Sequence, residues 1–435
     1  MPVPTPRLAV VAAAAALLVA LFPGSAALGL VVVNGLLLVA AAVDAALAVA
    51  PSAVGVTREV PGVVALNQRA DLVLRVNNPS ERRLRVAVAD ELAPSLGAER
   101  RRVSVVVPPA GRVTARIPLL PRRRGRFDVT ELTVRVDGPL GLAARQGRRQ
   151  VPAVLRVYPP FASRDEAELR INRARILEIG LRSAQGRGGG TEFESLREYG
   201  VDDEFRRIDW AATARAGKPI VRTYRAERNQ TVLLLLDAGR VMAGRVAGVP
   251  RLEHAMDAVM MLTAVTTRLG DRAGLVAFDR EVRAVVPPGH SRGQLTRVTE
   301  AMYELQPALA ESDYQGAFVE ALARFRRRSL LVLFSELAEQ AVADTLLPAL
   351  PLIVRDHLVV VASVRDPEVV EWARRSPDDP SGAYRAAAAV AALEERRRLT
   401  ARLRGIGVTV VDELPGRLAP ALADAYLKVK ATGRL

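Results

Sequence analysis

Between residues 193 and 222 the sequence gathers carboxylates and guanidiniums around one tryptophan: Phe193-Glu194-Ser195-Leu196-Arg197-Glu198-Tyr199, Asp202-Asp203, Arg206-Arg207-Ile208-Asp209-Trp210, Thr213-Ala214-Arg215 and Val221-Arg222. Arg197, Arg206, Arg207, Arg215 and Arg222 can each fork onto Glu194, Glu198, Asp202, Asp203 or Asp209, because a planar guanidinium offers paired donors to a carboxylate. Such a network serves either as a recognition surface or as a clasp that welds the stretch to its neighbours. A glycosidase pair is a poor fit: carboxylates set among arginines are favoured in their charged form, whereas a general acid must keep its proton. A second group comprises Asp237 and Arg240, Ser312-Asp313, and Ser335-Glu336. Oxygens of this kind can hold a divalent cation, so a metal-dependent hydrolase using the acids around Asp237 is the alternative to a binding role.

Several other chemistries lack their residues. There is no cysteine, which removes disulfides, thiolate metal sites and thiol catalysis. The three histidines, His254, His290 and His357, have none of the paired spacing of a zinc hydrolase. The glycines at 186–190 lack the preceding strand and the following Lys-Ser/Thr of a phosphate loop. No catalytic residue and no cofactor is therefore assigned, and the chain is expected not to be an enzyme. The formal charge is +15, and all but three of the 62 basic residues are arginine. The excess is concentrated: residues 51–185 hold 25 Arg against 13 acids. Beside an apolar segment this reads as attraction to anionic lipid headgroups. Nucleic acid is not expected, since the arginines are scattered over strand-like sequence with few aromatics.

The elements that must position these groups fall into four segments. Residues 1–51 carry two apolar runs, 8–22 and 26–50, parted by Pro23-Gly24-Ser25. The second is long enough to cross a bilayer core of about 30 Å at about 1.5 Å per residue, even with Asn34 and Asp44 inside it. The first either pairs with it as a transmembrane hairpin or is a signal segment cleaved near Ser25-Ala26-Ala27. Arg7 before the runs and Arg58 and Arg69 after them favour the hairpin with both flanks in the cytoplasm. Residues 52–160 alternate in short segments (70–76, 84–88, 103–107, 113–119, 132–136) punctuated by Asn-Pro, Pro-Pro and Gly-Pro turns, the pattern of a small antiparallel β-sandwich. Residues 161–230 hold a connecting helix at 165–185, a glycine break at 186–190 and the Arg/Asp stretch. From 231 to 435, apolar strands (231–236, 274–278, 282–286, 329–334, 357–362, 408–411) alternate with helices (252–269, 294–304, 314–326, 340–350, 383–404, 415–429). That rhythm predicts an α/β doubly wound domain, a parallel sheet covered on both faces with its site at the strands' carboxyl ends.

Leu236-Asp237-Ala238-Gly239-Arg240-Val241-Met242 resembles the first strand and loop of von Willebrand factor A domains. In that family the loop reads Asp-x-Ser-x-Ser and holds a divalent cation that a partner's carboxylate completes. Here Gly239 and Val241 stand for both serines and Arg240 adds positive charge, leaving Asp237, Ser312 and Asp313 as weak metal candidates and no metal assigned. Asp237 is then expected to pair with Arg240 or to cap the next helix. Together with the 193–222 stretch, Arg122-Arg123-Arg124-Gly125 and Asp137-Gly138-Pro139-Leu140-Gly141-Leu142, the chain resembles in outline the bacterial membrane proteins of the domain-of-unknown-function family fifty-eight; Asp202 replaces that motif's usual glycine. The resemblance implies an integral protein of the inner (plasma) membrane with the bulk of the chain cytoplasmic. It also implies a protein partner, a MoxR-type AAA+ ATPase, in chaperone-like assembly or envelope-related work. The partner surface is expected to use Asp237, Arg240, Asp313, Glu336, Arg197, Asp203, Arg206, Asp209, Trp210 and Arg215.

Overall fold

A computed structural model describes residues 1–20, 25–184, 192–200, 203, 205–225, 230–337 and 346–432. The 186–190 glycine break, Asp202 and the first part of the helix expected at 340–350 lie outside the described residues. The chain divides into two compact units, Met1–Tyr158 and Pro159–Leu435.

The first unit opens with β1 (Pro2–Pro4), α1 (Pro6–Ala20) and α2 (Ala26–Leu47). Ser25 caps α2, its hydroxyl accepting Leu28 N–H, which settles one of the helix's orphan donors. Within α2 the stretch Ala27–Leu47 is long and apolar enough to cross a membrane; α1 is shorter. The strands follow as β2 (Gly55–Glu59), β3 (Val63–Ala65), β4 (Ala70–Asn77), β5 (Leu84–Asp90), β6 (Arg102–Val107), β7 (Arg112–Leu119), β8 (Gly125–Asp137) and β9 (Ala143–Tyr158). They make one sheet in the order β1-β9-β8-β5-β6, with β3 also on β9, and a second in the order β2-β4-β7. Alternate residues such as Leu72, Leu74 and Val76 of β4 and Val134 and Val136 of β8 are buried in one shared core, as a period of two requires. The register of β8 on β9 shifts between Val129 and Glu131, where β9 carries an extra residue, and the wholly buried Arg58 side chain meets the carbonyls there: it donates to Val129 O at 2.8 Å and Glu131 O at 3.0 Å. Its charge is balanced by Asp90 at 2.6 Å.

Asp44, the acid inside the second apolar run, has no exposed surface. Its carboxylate accepts the backbone N–H groups of Leu140 (2.7 Å) and Leu142 (2.7 Å) in the β8–β9 turn and of Ala143 (2.9 Å), where β9 starts. A Cβ on Gly138 collides with that carboxyl, and Gly141 adopts φ +71°. The Gly-Pro-Leu-Gly spacing is thus a docking loop for the helix end. At the same end of the hairpin, β1 runs antiparallel to β9, with Pro4 opposite Ala143, and the Met1 ammonium donates to Gln146 O at 2.9 Å.

The second unit begins with α3 (Arg164–Ala184), β10 (Glu192–Glu198), α4 (Trp210–Ala216) and β11 (Ile220–Arg225). Next come β12 (Thr231–Asp237), α5 (Arg240–Ala243), a small hairpin of β13 (Arg245–Val246) and β14 (Val249–Pro250), and α6 (Arg251–Arg268). The remainder is β15 (Arg272–Phe278), β16 (Val282–Gly289), α7 (Gln294–Met302), α8 (Tyr314–Arg324), β17 (Leu330–Phe334), α9 (Leu347–Asp356), β18 (Leu358–Val364), α10 (Pro367–Arg374), α11 (Pro380–Gly405), β19 (Thr409–Glu413) and α12 (Leu418–Ala431). Six strands form one sheet in the order β16-β15-β12-β17-β18-β19. Every neighbouring pair is parallel except β15–β16, which is antiparallel. Val232, Leu234 and Leu236 of β12 face a core shared with α6 and α12, whereas Leu233 and Leu235 face one shared with α8 and α9. An uninterrupted apolar strand is what two covered faces demand. The helix expected at 165–185 joins this unit's core through Ala167 and Ile171.

Candidate functional site

At the carboxyl end of β12, Asp237 is completely buried and meets uncharged donors only, among the contacts described. One oxygen accepts Gly239 N–H at 2.8 Å and the Ser312 hydroxyl at 2.5 Å. The other accepts the Tyr314 hydroxyl at 2.8 Å and the Ser335 hydroxyl at 2.6 Å. Tyr314 packs edge-on to Phe278, 5.7 Å between ring centres. Burial, followed by the Asp237 charge, pushes the Tyr314 phenol far above its ordinary range, so it stays a donor.

This arrangement fixes the loop above it. Ala308 N–H donates to Ala238 O at 2.7 Å and Arg240 N–H to Ala310 O at 2.9 Å, strapping 308–310 to 238–240. A Cβ on Gly239 collides with the Ser312 hydroxyl, so the serine that a metal-binding loop carries has no room here. Asp313 is spent as the N-cap of α8, accepting Gly316 N–H at 2.8 Å. Glu336 pairs with Arg251 at 3.0 Å and with Arg396, and Arg396 also holds Asp412 at 2.7 Å. The second and third carboxylates are therefore occupied by a helix end and by guanidiniums. The residues present do not fit a divalent cation, which needs several free hard oxygens.

Four of the expected partner-surface residues lie around this lip, two of them buried or nearly so and two exposed. Asp237 neither pairs with Arg240 nor caps α5, whose N-cap is Gly239; it is sealed from solvent and shapes the lip from beneath. Arg240 is exposed and pairs with Glu311 at 2.5 Å. Asp313 serves the backbone, and the Glu336 side chain is only 12% exposed inside its ion-pair chain. What the lip does present is Leu309, 85% exposed on the strapped loop.

The 193–222 stretch folds as the antiparallel hairpin β10–β11, with a 3-10 turn at Phe205–Arg207 and α4 between its strands. Arg197 forks onto Asp203, one arm at 2.6 Å, and Asp203 also accepts Gly200 N–H at 2.7 Å. Asp209 caps α4, accepting Ala211 and Ala212 N–H at 3.0 Å each, and takes Arg222 Nε at 2.8 Å. The Arg222 hydrogen bond, then the Ala212 amide, holds the Asp209 carboxyl below the usual carboxylate range. Glu198 pairs with Lys218, and Arg215 donates to Ala211 O at 3.2 Å. Arg206 is exposed.

Immediately after the Asp209 cap stands Trp210, 61% exposed, with Phe205, 66% exposed, edge-on at 5.6 Å. Leu196 (45%) and Tyr199 (37%) on the same hairpin are also partly open. The structure thus joins Arg197 with Asp203, and Arg222 with Asp209 beside Trp210. Phe205 is a residue that sequence reasoning missed. Its only signal is an aromatic five positions before the tryptophan in an otherwise polar stretch, and Tyr314, a donor to Asp237 from 77 residues away, left no signal at all.

Residues 195–373 match the family model of the protein of unknown function DUF58. Uncharacterized proteins of Mycobacterium bovis and Mycobacterium tuberculosis are 29% identical over 187 residues, which is 42% of this chain and 58% of each relative. The chain thus spans under two thirds of the length of these curated relatives. Crystal and solution structures of the CARDB domain of a Pyrococcus furiosus protein cover 24% of this chain and 86% and 94% of their own, at 14% identity and a TM-score of 0.17. A likeness at that level carries no argument about fold.

Proposed function

We propose that this protein is a membrane-tethered docking module, not an enzyme, whose second unit is a von Willebrand factor A-like domain and whose partner is a MoxR-type AAA+ ATPase in chaperone-like, envelope-related assembly. The observation that carries the reading is the Phe205–Trp210 pair: two large rings more than half exposed, on a hairpin stiffened by the Arg197–Asp203 and Arg222–Asp209 clasps. Exposed aromatics on a rigid support are what interface hot spots use, since little side-chain freedom is lost on binding. The order of the six-stranded sheet and the buried Asp237 at its carboxyl lip support the A-like reading.

In this reading α1 and α2 anchor the chain in the inner membrane, with the bulk of it cytoplasmic, and the arginines of the sandwich face anionic headgroups. Retention of the first apolar run is supported by β1: cleavage near Ser25-Ala26-Ala27 discards a strand that pairs with β9. The test uses the full chain in nanodiscs and a purified MoxR-type ATPase, with affinity measured by interferometry. Trp210→Ala is expected to weaken binding by about 30-fold or more, the scale of a hot-spot loss of about 2 kcal/mol. Unchanged affinity rejects this face.

A further inference from the structure

The far edge of the six-stranded sheet is open. β19 pairs with β18 alone, and among the described strands none covers its other side. Along that edge runs a groove of about 770 Å³, walled by α10 and α11 and floored by apolar groups that include Val410 and Val411. One face of α11 follows it, with Val390, Leu393, Arg397, Ala401 and Arg404 recurring every three or four residues. From Val390 to Arg404 the helix rises about 21 Å, the span of about six residues of extended chain.

Its charge is one-sided. The lining holds five guanidiniums against three carboxylates, and one of those carboxylates, Asp412, is already shared by Arg365 and Arg396. Burial lowers and the Asp412 and Glu336 contacts raise the Arg396 guanidinium, with the net effect upward, so Arg396 stays charged within its ion pairs and the groove's uncompensated charge lies on its rim. Arg397 pairs with Glu394 at its own helix surface, with 74% of its side chain exposed. Arg374 on α10 and Arg404 are exposed and have no ion pair among the described residues. An unpaired strand edge with an apolar floor and an arginine rim matches one occupant: an extended chain whose backbone joins the edge and whose alternate side chains are acidic.

We infer that this groove is a second docking site, distinct from the Phe205–Trp210 face, which takes an acidic extended segment of a partner protein by strand addition to β19. The probe is a fluorescein-labelled six-residue peptide alternating glutamate and valine, titrated against the full chain in nanodiscs and read by fluorescence anisotropy. A saturable rise is expected, weakened about tenfold by Arg397→Glu with Arg404→Glu and unmoved by Trp210→Ala. Arg374→Glu, on the other wall, is expected to act in the same direction and guards against a folding defect in α11. The same peptide with alternate amides N-methylated cannot join a strand edge, and is expected to lose binding. Absence of a saturable rise overturns the inference, as does equal binding of the methylated peptide, which marks capture by charge alone. Displacement of the peptide on self-association of the chain also overturns it, since the occupant is then a second copy.

Discussion

Asp237 ends β12 and Asp209 caps the start of α4 in the same unit, and their surroundings set them opposite tasks. Asp237 has no exposed surface and meets three hydroxyls and an amide. Asp209 meets a helix end and the half-exposed Arg222, directly beside an exposed tryptophan. Neutral donors deep in a low-dielectric lip give a stiff support that a partner cannot reach. Guanidinium clasps near water, worth little individually, orient the side chains displayed next to them. The difference teaches that a carboxylate at the carboxyl end of a sheet strand can be sealed from solvent while aromatics on the preceding hairpin stay open to it.

The largest expected effect separates the two directly. Asp237→Ala leaves three buried hydroxyls without their shared acceptor and is expected to cost roughly 3 kcal/mol, a fall in Tm of about 6–12 °C for a unit of this size. A Tm within about 1 °C of the parent contradicts the supporting role. The next concerns acidity. Because the Asp209 carboxyl lies below its ordinary range, its stabilisation is present above the unfolded value of about 3.9 and is lost as pH falls through the folded value. In a Trp372→Phe background, Trp210 emission is expected to be level from pH 7 to about 4 and to change below that. A transition centred near neutrality breaks the comparison. The smallest effect falls on Arg240, whose pair with Glu311 is well exposed on both sides. Arg240→Ala is expected to shift stability by less than about 1 kcal/mol in a chemical melt, and a larger loss points to an unrecognised role at the lip.

The sequence reveals whatever depends on continuous pattern. The run Val232-Leu233-Leu234-Leu235-Leu236 reads as a strand covered on both faces, and β12 occupies it to within a residue. Spacing does not carry strand direction, so the antiparallel placement of Val282–Gly289 at the sheet's edge was hidden in an apparently parallel series. β9 went unread because its 16 residues mix arginine and glutamine on positions that are only partly buried. The α10 segment was overlooked although Asp366 before Pro367 is a readable helix start, with Asp366 accepting Glu368 N–H at 2.9 Å. Asp44 read as a tolerated blemish in an apolar run, because its three amide donors lie almost a hundred positions away. At the site, the acids and arginines were legible by type. Their partners and their exposure were not, since both are set by chain reversals that no local spacing records.

The central claim, that contact occurs at the aromatic hairpin and not at the acidic lip, is most directly tested by photocrosslinking in membranes that contain a MoxR-type ATPase. Benzoylphenylalanine is placed at Trp210 in one protein and, as an exposed control, at Leu169 in another. An adduct with the ATPase from position 210 and none from 169 is the predicted result. No adduct from position 210, with one from a probe at Leu309 on the lip, contradicts the account.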